Sequence, residues 1–220
     1  MTKPTGTSGS FHVQINPDGS ASGSFVPVTF SKSKSEIEQQ VADQFIKSMD
    51  AHPVQEKEKF FLSAPRLNQE NDFDFTVDSP QGEASLELME IAPLKGSYKD
   101  APTPYNVYDF SKTIFQGILS KSQSYPQKMA KDLFLLVYVT HWSFTLSKLV
   151  IACLRYWCAS TPLAFRAIFY YAPRGNSGLH DQIYPVSSEI LNDFDPEKVR
   201  AEFCLNLDPR TWYVQGKGSA

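Results

Sequence analysis

Two short acidic segments carry the residues best suited to chemistry. Asp72-Phe73-Asp74-Phe75-Thr76-Val77 alternates polar and apolar side chains, and Leu86-Glu87-Leu88-Met89-Glu90-Ile91 follows after Ser79-Pro80-Gln81-Gly82. Alternation on either side of a turn sequence predicts two antiparallel strands joined tightly. Side chains on a strand alternate with period two, so Asp72, Asp74 and Thr76 share one face, as do Glu87 and Met89, with Leu88 and Glu90 on the other. If the pairing sets Asp74 opposite Glu87, two carboxylates converge. Such a pair suits a hard divalent cation such as Mg²⁺, which takes oxygen ligands and retains waters able to attack a phosphodiester. The competing reading of Asp72 and Asp74 is the acidic edge of a solvated strand. Glu87 stands apart, because strand interiors disfavour glutamate and its neighbours are apolar. Glu90, on the opposite face, is expected to partner a helix residue.

Other reactive residues form no constellation. His12, His52, His141 and His180 are scattered, so spacing suggests no histidine metal site. His141 follows an apolar run, where ligands collect in α/β sheets, but a lone histidine there also serves as a cap or core residue. Cys153 and Cys158 are expected to be buried, inert thiols on different faces of a helix. Arg174-Gly175-Asn176-Ser177-Gly178 reads as a connecting loop that could touch a phosphate, without the spacing of a nucleotide cradle.

The elements that position these residues follow from periodicity. Residues 1–10 are small and polar and are expected to form a disordered tail, leaving 11–220 as a single α/β domain. Phe11, Val13 and Ile15, then Asn16-Pro17-Asp18-Gly19, then Phe25 to Phe30 predict a hairpin. Ser35-Glu36-Ile37-Glu38 has a capping-box pattern, and Ile37, Val41, Phe45 and Met49 predict an amphipathic helix over 35–50. Phe60-Phe61-Leu62 opens a short strand ending near Pro65. Asn106 caps a helix reaching about 125, with Val107, Phe110, Ile114 and Ile118 on one stripe and Tyr125-Pro126 at its end. Leu133 to Val139 is apolar without alternation, as in a strand covered on both faces. A helix over 145–160, a strand from Phe165 to Tyr171 and a short helix near 196–204 complete the reading. The order is that of a layered α/β fold with a mixed β-sheet flanked by helices.

Composition bounds the function. The chain has 220 residues, 41% apolar and 20% charged, with 21 Lys and Arg against 24 Asp and Glu and a net charge of -3. That balance argues against coating nucleic acid through bulk electrostatics, but leaves room for a local basic groove. Three cysteines in no metal or redox spacing fit a reduced setting. No apolar run is long enough to span a bilayer and the first residues do not resemble a secretion signal, so no membrane association and a cytoplasmic location are expected.

The succession of elements, the Asp-Phe on the second core strand and the Glu on the third resemble the PD-(D/E)xK nuclease-like superfamily, the restriction-endonuclease-like fold with its αβββαβ core. The resemblance covers about residues 35–172. It implies that Asp72 or Asp74 and Glu87 hold Mg²⁺ for hydrolysis of DNA, with a homodimer as an accompanying expectation. Two positions depart from the pattern. Met89 stands where the motif has lysine, and Asn71 where it usually has proline. Lys121 falls on the inward stripe of Ile114 and Ile118, and a lysine there could reach the carboxylates in place of the missing one. Gln116, on the same helix, is expected to be solvated. The alternative implied by the missing lysine is a catalytically decayed fold acting as a nucleic-acid-binding or protein-interaction module.

Overall fold

The computed structural model describes residues 7–51, 61–68, 73–92, 104–175, 181–187, 194–208 and 216–217. The chain opens with strands β1 (Gly9–Ile15) and β2 (Ser20–Pro27), a hairpin turned by Asn16 to Gly19. Helix α1 (Lys34–Ala51) follows, then β3 (Ser63–Leu67), β4 (Phe75–Ser79) and β5 (Gly82–Glu90). A two-residue strand β6 (Tyr105–Asn106) leads into α2 (Val107–Gln123). Next come β7 (Leu133–Tyr138), α3 (Lys148–Ser160), β8 (Ala167–Ala172) and β9 (Gln182–Pro185), and finally the short β10 (Phe203–Cys204) and β11 (Gly216–Lys217). Among the described residues no helix is long and apolar enough to cross a membrane.

Six strands form the central sheet in the order β3-β4-β5-β7-β8-β9. β5, β7 and β8 run parallel, and the outer pairings are antiparallel. The sheet is therefore mixed and flanked by helices, as the sequence pattern predicts. β7 is central because all six of its residues are apolar or aromatic and all are buried. Leu133, Leu135 and Val137 meet Ile114 and Ile118 of α2 and Val150 and Leu154 of α3. Phe134, Leu136 and Tyr138 face the other layer, with Ile37, Val41 and Phe45 of α1. A strand buried on both faces needs no alternation.

Several boundaries differ from expectation for identifiable reasons. Gly9 and Ser10 belong to β1 and not to the expected tail 1–10; residues 1–6 lie outside the described set. Ser8 is buried and donates to the Pro173 carbonyl at 2.6 Å, a long-range tie that composition could not reveal. The strand expected from Phe60 to Pro65 is β3, Ser63–Leu67, while Phe60 lies outside the described residues. Pro65 is tolerated because β3 is an edge strand with a register shift between Ser63 and Arg66. The helix expected near 196–204 is only a 3₁₀ turn, Pro196–Val199, because Phe203 and Cys204 pair with Asn106 and Tyr105 instead.

The capping box of α1 also lies two residues earlier than Ser35–Glu38. Ser33 Oγ accepts from the Glu36 N–H at 3.3 Å, and Glu36 Oε2 accepts from the Ser33 N–H at 3.1 Å. Ser-x-x-Glu occurs in two overlapping registers here. The earlier one caps the helix, which releases Glu38 for another role.

Candidate active site

The β4-β5 turn sets the site. Ser79 pairs with Gly82, whose φ of 115° suits a residue without a Cβ, and the register runs back through Val77↔Ala84 to Phe75↔Leu86. One step further places Asp74 opposite Glu87. Phe75, Val77 and Leu86 point into the α1 layer, so Asp74 and Glu87 face α2. Asp74 and β5 are tied twice. The Leu88 N–H donates to Asp74 Oδ2 at 2.7 Å, and the Asp74 N–H donates to Glu87 Oε2 at 3.4 Å.

Helix α2 brings the cation. Asn106 caps it by accepting from the Asp109 N–H at 3.0 Å, and Ile114 and Ile118 bury its inner stripe. Lys121 continues that stripe. Its Nζ lies 2.7 Å from Glu87 Oε1 and donates to the Leu88 carbonyl at 2.6 Å. The Glu87 side chain is only 8% exposed, that of Lys121 26%. Met89, at the position where the motif would have lysine, packs toward α2 at Gly117, one helical turn before Lys121. The ammonium thus reaches Glu87 from the helix instead of from the strand.

Tyr125 closes the site from the end of α2. Its hydroxyl lies close enough to the Glu87 carboxylate to influence it electrostatically, and its ring stacks on Phe73 at 5.5 Å, pinning the residue before Asp74. Burial raises the Glu87 carboxyl above the usual carboxylate range. Lys121 and Tyr125 pull it down, and Asp74 adds to the rise. Burial, reinforced by Glu87 and Asp74, also pushes the Tyr125 phenol well up, so it stays protonated as a donor.

Glu38 is a neighbour that periodicity did not single out. It pairs with Lys34 at 3.2 Å, and burial raises its carboxyl, opposed by Lys34 and Lys121 and reinforced by Asp74. Burial disfavours the Lys34 ammonium, but Glu38, Asp74 and Glu90 outweigh it and hold its pKa up. The first turns of α1 therefore present a paired cation and carboxylate to the same end of β4 and β5. The signal was present in the sequence as the second reading of Ser33 to Glu38.

The remaining candidates fall elsewhere. Asp72 lies outside the described residues. Glu90 accepts from the Thr140 hydroxyl at 2.6 Å, a loop residue in addition to the nearby helix cation Lys34. Gln116 is exposed. His141 is buried, and its Nδ1 accepts from the Ser143 N–H at 3.2 Å, capping a 3₁₀ turn. Cys153 and Cys158 are buried free thiols, and burial pushes Cys158 up to about 12.

For Mg²⁺ the donor set is Asp74, Glu87 and hard backbone oxygen. Among the described residues no three His, Cys, Asp or Glu side chains group to hold a metal. Two carboxylates fit Mg²⁺ chemically, since that ion is often held through one or two carboxylates and keeps most of its waters.

The chain matches no protein-family model and no curated protein. Among solved structures it resembles SfsA of Pyrococcus furiosus, determined in complex with Ca²⁺, at 14% identity and a TM-score of 0.29, over 78% of this chain and 77% of that one. An overlap of that size carries no inference about this site.

Proposed function

We propose that this chain is a nuclease-like protein of the PD-(D/E)xK type that hydrolyses DNA phosphodiesters with Mg²⁺ held by Asp74 and Glu87. The observation that carries the reading is the 2.7 Å approach of Lys121 Nζ to Glu87 Oε1, beside Asp74. It supplies the cation that Met89 cannot.

When bound, Mg²⁺ supplies Lewis acidity to the phosphodiester and an acidified water at neutral pH. The chain's own groups orient the reactants. Asp74 is fixed by the Leu88 N–H, and Glu87 by Tyr125 and Lys121. An ammonium has three donors. Lys121 spends one on Glu87 and one on the Leu88 carbonyl, leaving a third for the attacking water or a phosphate oxygen. The attacking water would give up one proton to solvent as its oxygen bonds to phosphorus, the P–O ester bond breaks, and the departing alkoxide takes one proton to leave as the alcohol.

A second reading rests on the same ammonium. Lys121 bridges two oxygens, Glu87 Oε1 and the Leu88 carbonyl, that could serve a metal, so the fold could act as a binding module with lysine in the cation's place. Mg²⁺- and Mn²⁺-dependent cleavage of linear, supercoiled and single-stranded DNA separates the two. The nuclease reading expects chelator-sensitive cleavage that falls about a hundredfold or more in Glu87→Gln and Asp74→Asn. Equal cleavage by wild type and variants points to another site or a contaminant. No cleavage of any form with either metal leaves the binding module.

A further inference from the structure

A second cleft lies at the carboxyl ends of the adjacent parallel strands β7 and β8, where ligands collect in α/β sheets. Its volume is about 480 Å³, within the roughly 300–1,000 Å³ of small-molecule sites. Trp142, four residues past β7, and Arg174, two past β8, line it together with Phe11 and His12 of β1 and the segment Leu205 to Leu207. Among the described residues no carboxylate lines it.

The walls are tied down from several parts of the chain. The Asn206 amide donates to the Ser143 and Thr145 carbonyls at 2.7 and 2.8 Å, and the Trp142 N–H donates to the Thr7 carbonyl at 2.9 Å. The Arg174 backbone is held by buried Asp181, which accepts its N–H at 2.7 Å and also takes the Ser48 and Tyr171 hydroxyls at 2.7 and 2.6 Å. Arg174 is thus fixed at its backbone where it lines the cleft. Trp142 Nε1–H is sealed from solvent and has no acceptor among the described residues.

We infer that this cleft binds a phosphorylated nucleoside, with its phosphate on Arg174 and its base against Trp142. A guanidinium matches a phosphate with paired donors, and aromatic faces accept any base by stacking. The choice of a nucleotide over another aromatic anion rests on the nuclease reading above. The unit is either a free nucleotide or part of a DNA strand.

The test is calorimetric titration of the full chain with adenosine monophosphate, a 5′-phosphorylated single-stranded oligothymidylate and inorganic phosphate. Wild type is compared with Arg174→Gln. Saturable binding of a nucleotide probe is expected, weakened about tenfold or more by Arg174→Gln. An oligonucleotide that binds more tightly than the mononucleotide assigns a strand; the reverse assigns a free nucleotide. No saturable nucleotide binding, equal binding by Arg174→Gln, or inorganic phosphate binding as tightly as either nucleotide overturns the proposal. Arg174→Gln leaves the backbone N–H to Asp181 in place, and its thermal unfolding shows whether the fold is kept. Nucleotide binding without DNA cleavage would remove the nuclease reading alone.

Discussion

Lys121 of α2 and Glu87 of β5 form an ion pair at 2.7 Å although 33 residues separate them, and the strand position two after Glu87 carries no charge. The contact depends on how closely α2 approaches β5. Met89 packs against α2 at Gly117, and Lys121 one turn later has the reach to cover the remaining gap. A lysine from the helix and a lysine from the strand are two ways of bringing an ammonium to one carboxylate.

The start of α1 gives the first prediction. Ser33→Ala removes the N-cap and is expected to cost about 1 kcal/mol, and Glu36→Ala, which removes the other half of the reciprocal cap, is expected to destabilise in the same direction. Ser35→Ala is expected to be close to neutral, because Ser35 caps no backbone N–H. Urea unfolding of the three variants checks this. A larger loss from Ser35→Ala than from Ser33→Ala would place the cap where the sequence pattern first suggested it.

Local signals made much of the site legible. The β4-β5 turn is short enough to fix register, so Asp74 opposite Glu87 follows once Ser79 and Gly82 are paired. The inward position of Lys121 follows from the period of Ile114 and Ile118. Glu38 was hidden because two Ser-x-x-Glu patterns overlap and only packing against β4 and β5 selects between them. Tyr125 reads in sequence as a helix end, whereas its hydroxyl is near enough to Glu87 for each to shift the other's proton affinity. The second cleft was equally hidden, since Phe11, Trp142, Arg174 and Asn206 meet only through long-range ties. Pairings such as β6 with β10 link residues about a hundred positions apart, and no window of local periodicity reports them.

The spacing at Gly117 gives the second prediction. A Cβ there would lie 3.4 Å from Met89 Sδ and 3.8 Å from its Cε, contacts a flexible thioether can accommodate. Gly117→Ala is therefore expected to stabilise the protein by about 0.5–1 kcal/mol through helix propensity, seen as a thermal midpoint about 1–4 °C higher. Gly117→Leu should do the opposite by forcing α2 away from β5. A destabilised alanine variant would mean that the α2-β5 packing tolerates no added methyl.

The third prediction tests the ion pair through pH. Burial raises the Glu87 carboxyl and Lys121 opposes the rise, so Lys121→Met should move the carboxyl higher still. Carboxyl-carbon NMR of Glu87 in both proteins measures this directly. The linkage sign follows. A carboxyl raised in the folded state binds more protons folded than unfolded, so its stabilising contribution is complete below the unfolded value and fades as pH rises through the folded value. Removing Lys121 extends that fading to higher pH. The variant should lose about 1–3 kcal/mol near neutral pH, less than a fully buried pair because the lysine is partly exposed. As pH falls below the unfolded carboxyl value, the difference should shrink toward the packing effect of the substitution alone. Adding Met89→Lys in the same background should bring an ammonium back from the strand side and lower the carboxyl again. An unchanged Glu87 titration in Lys121→Met would show that the ammonium does not govern this carboxylate, and the role proposed for Lys121 would go with it.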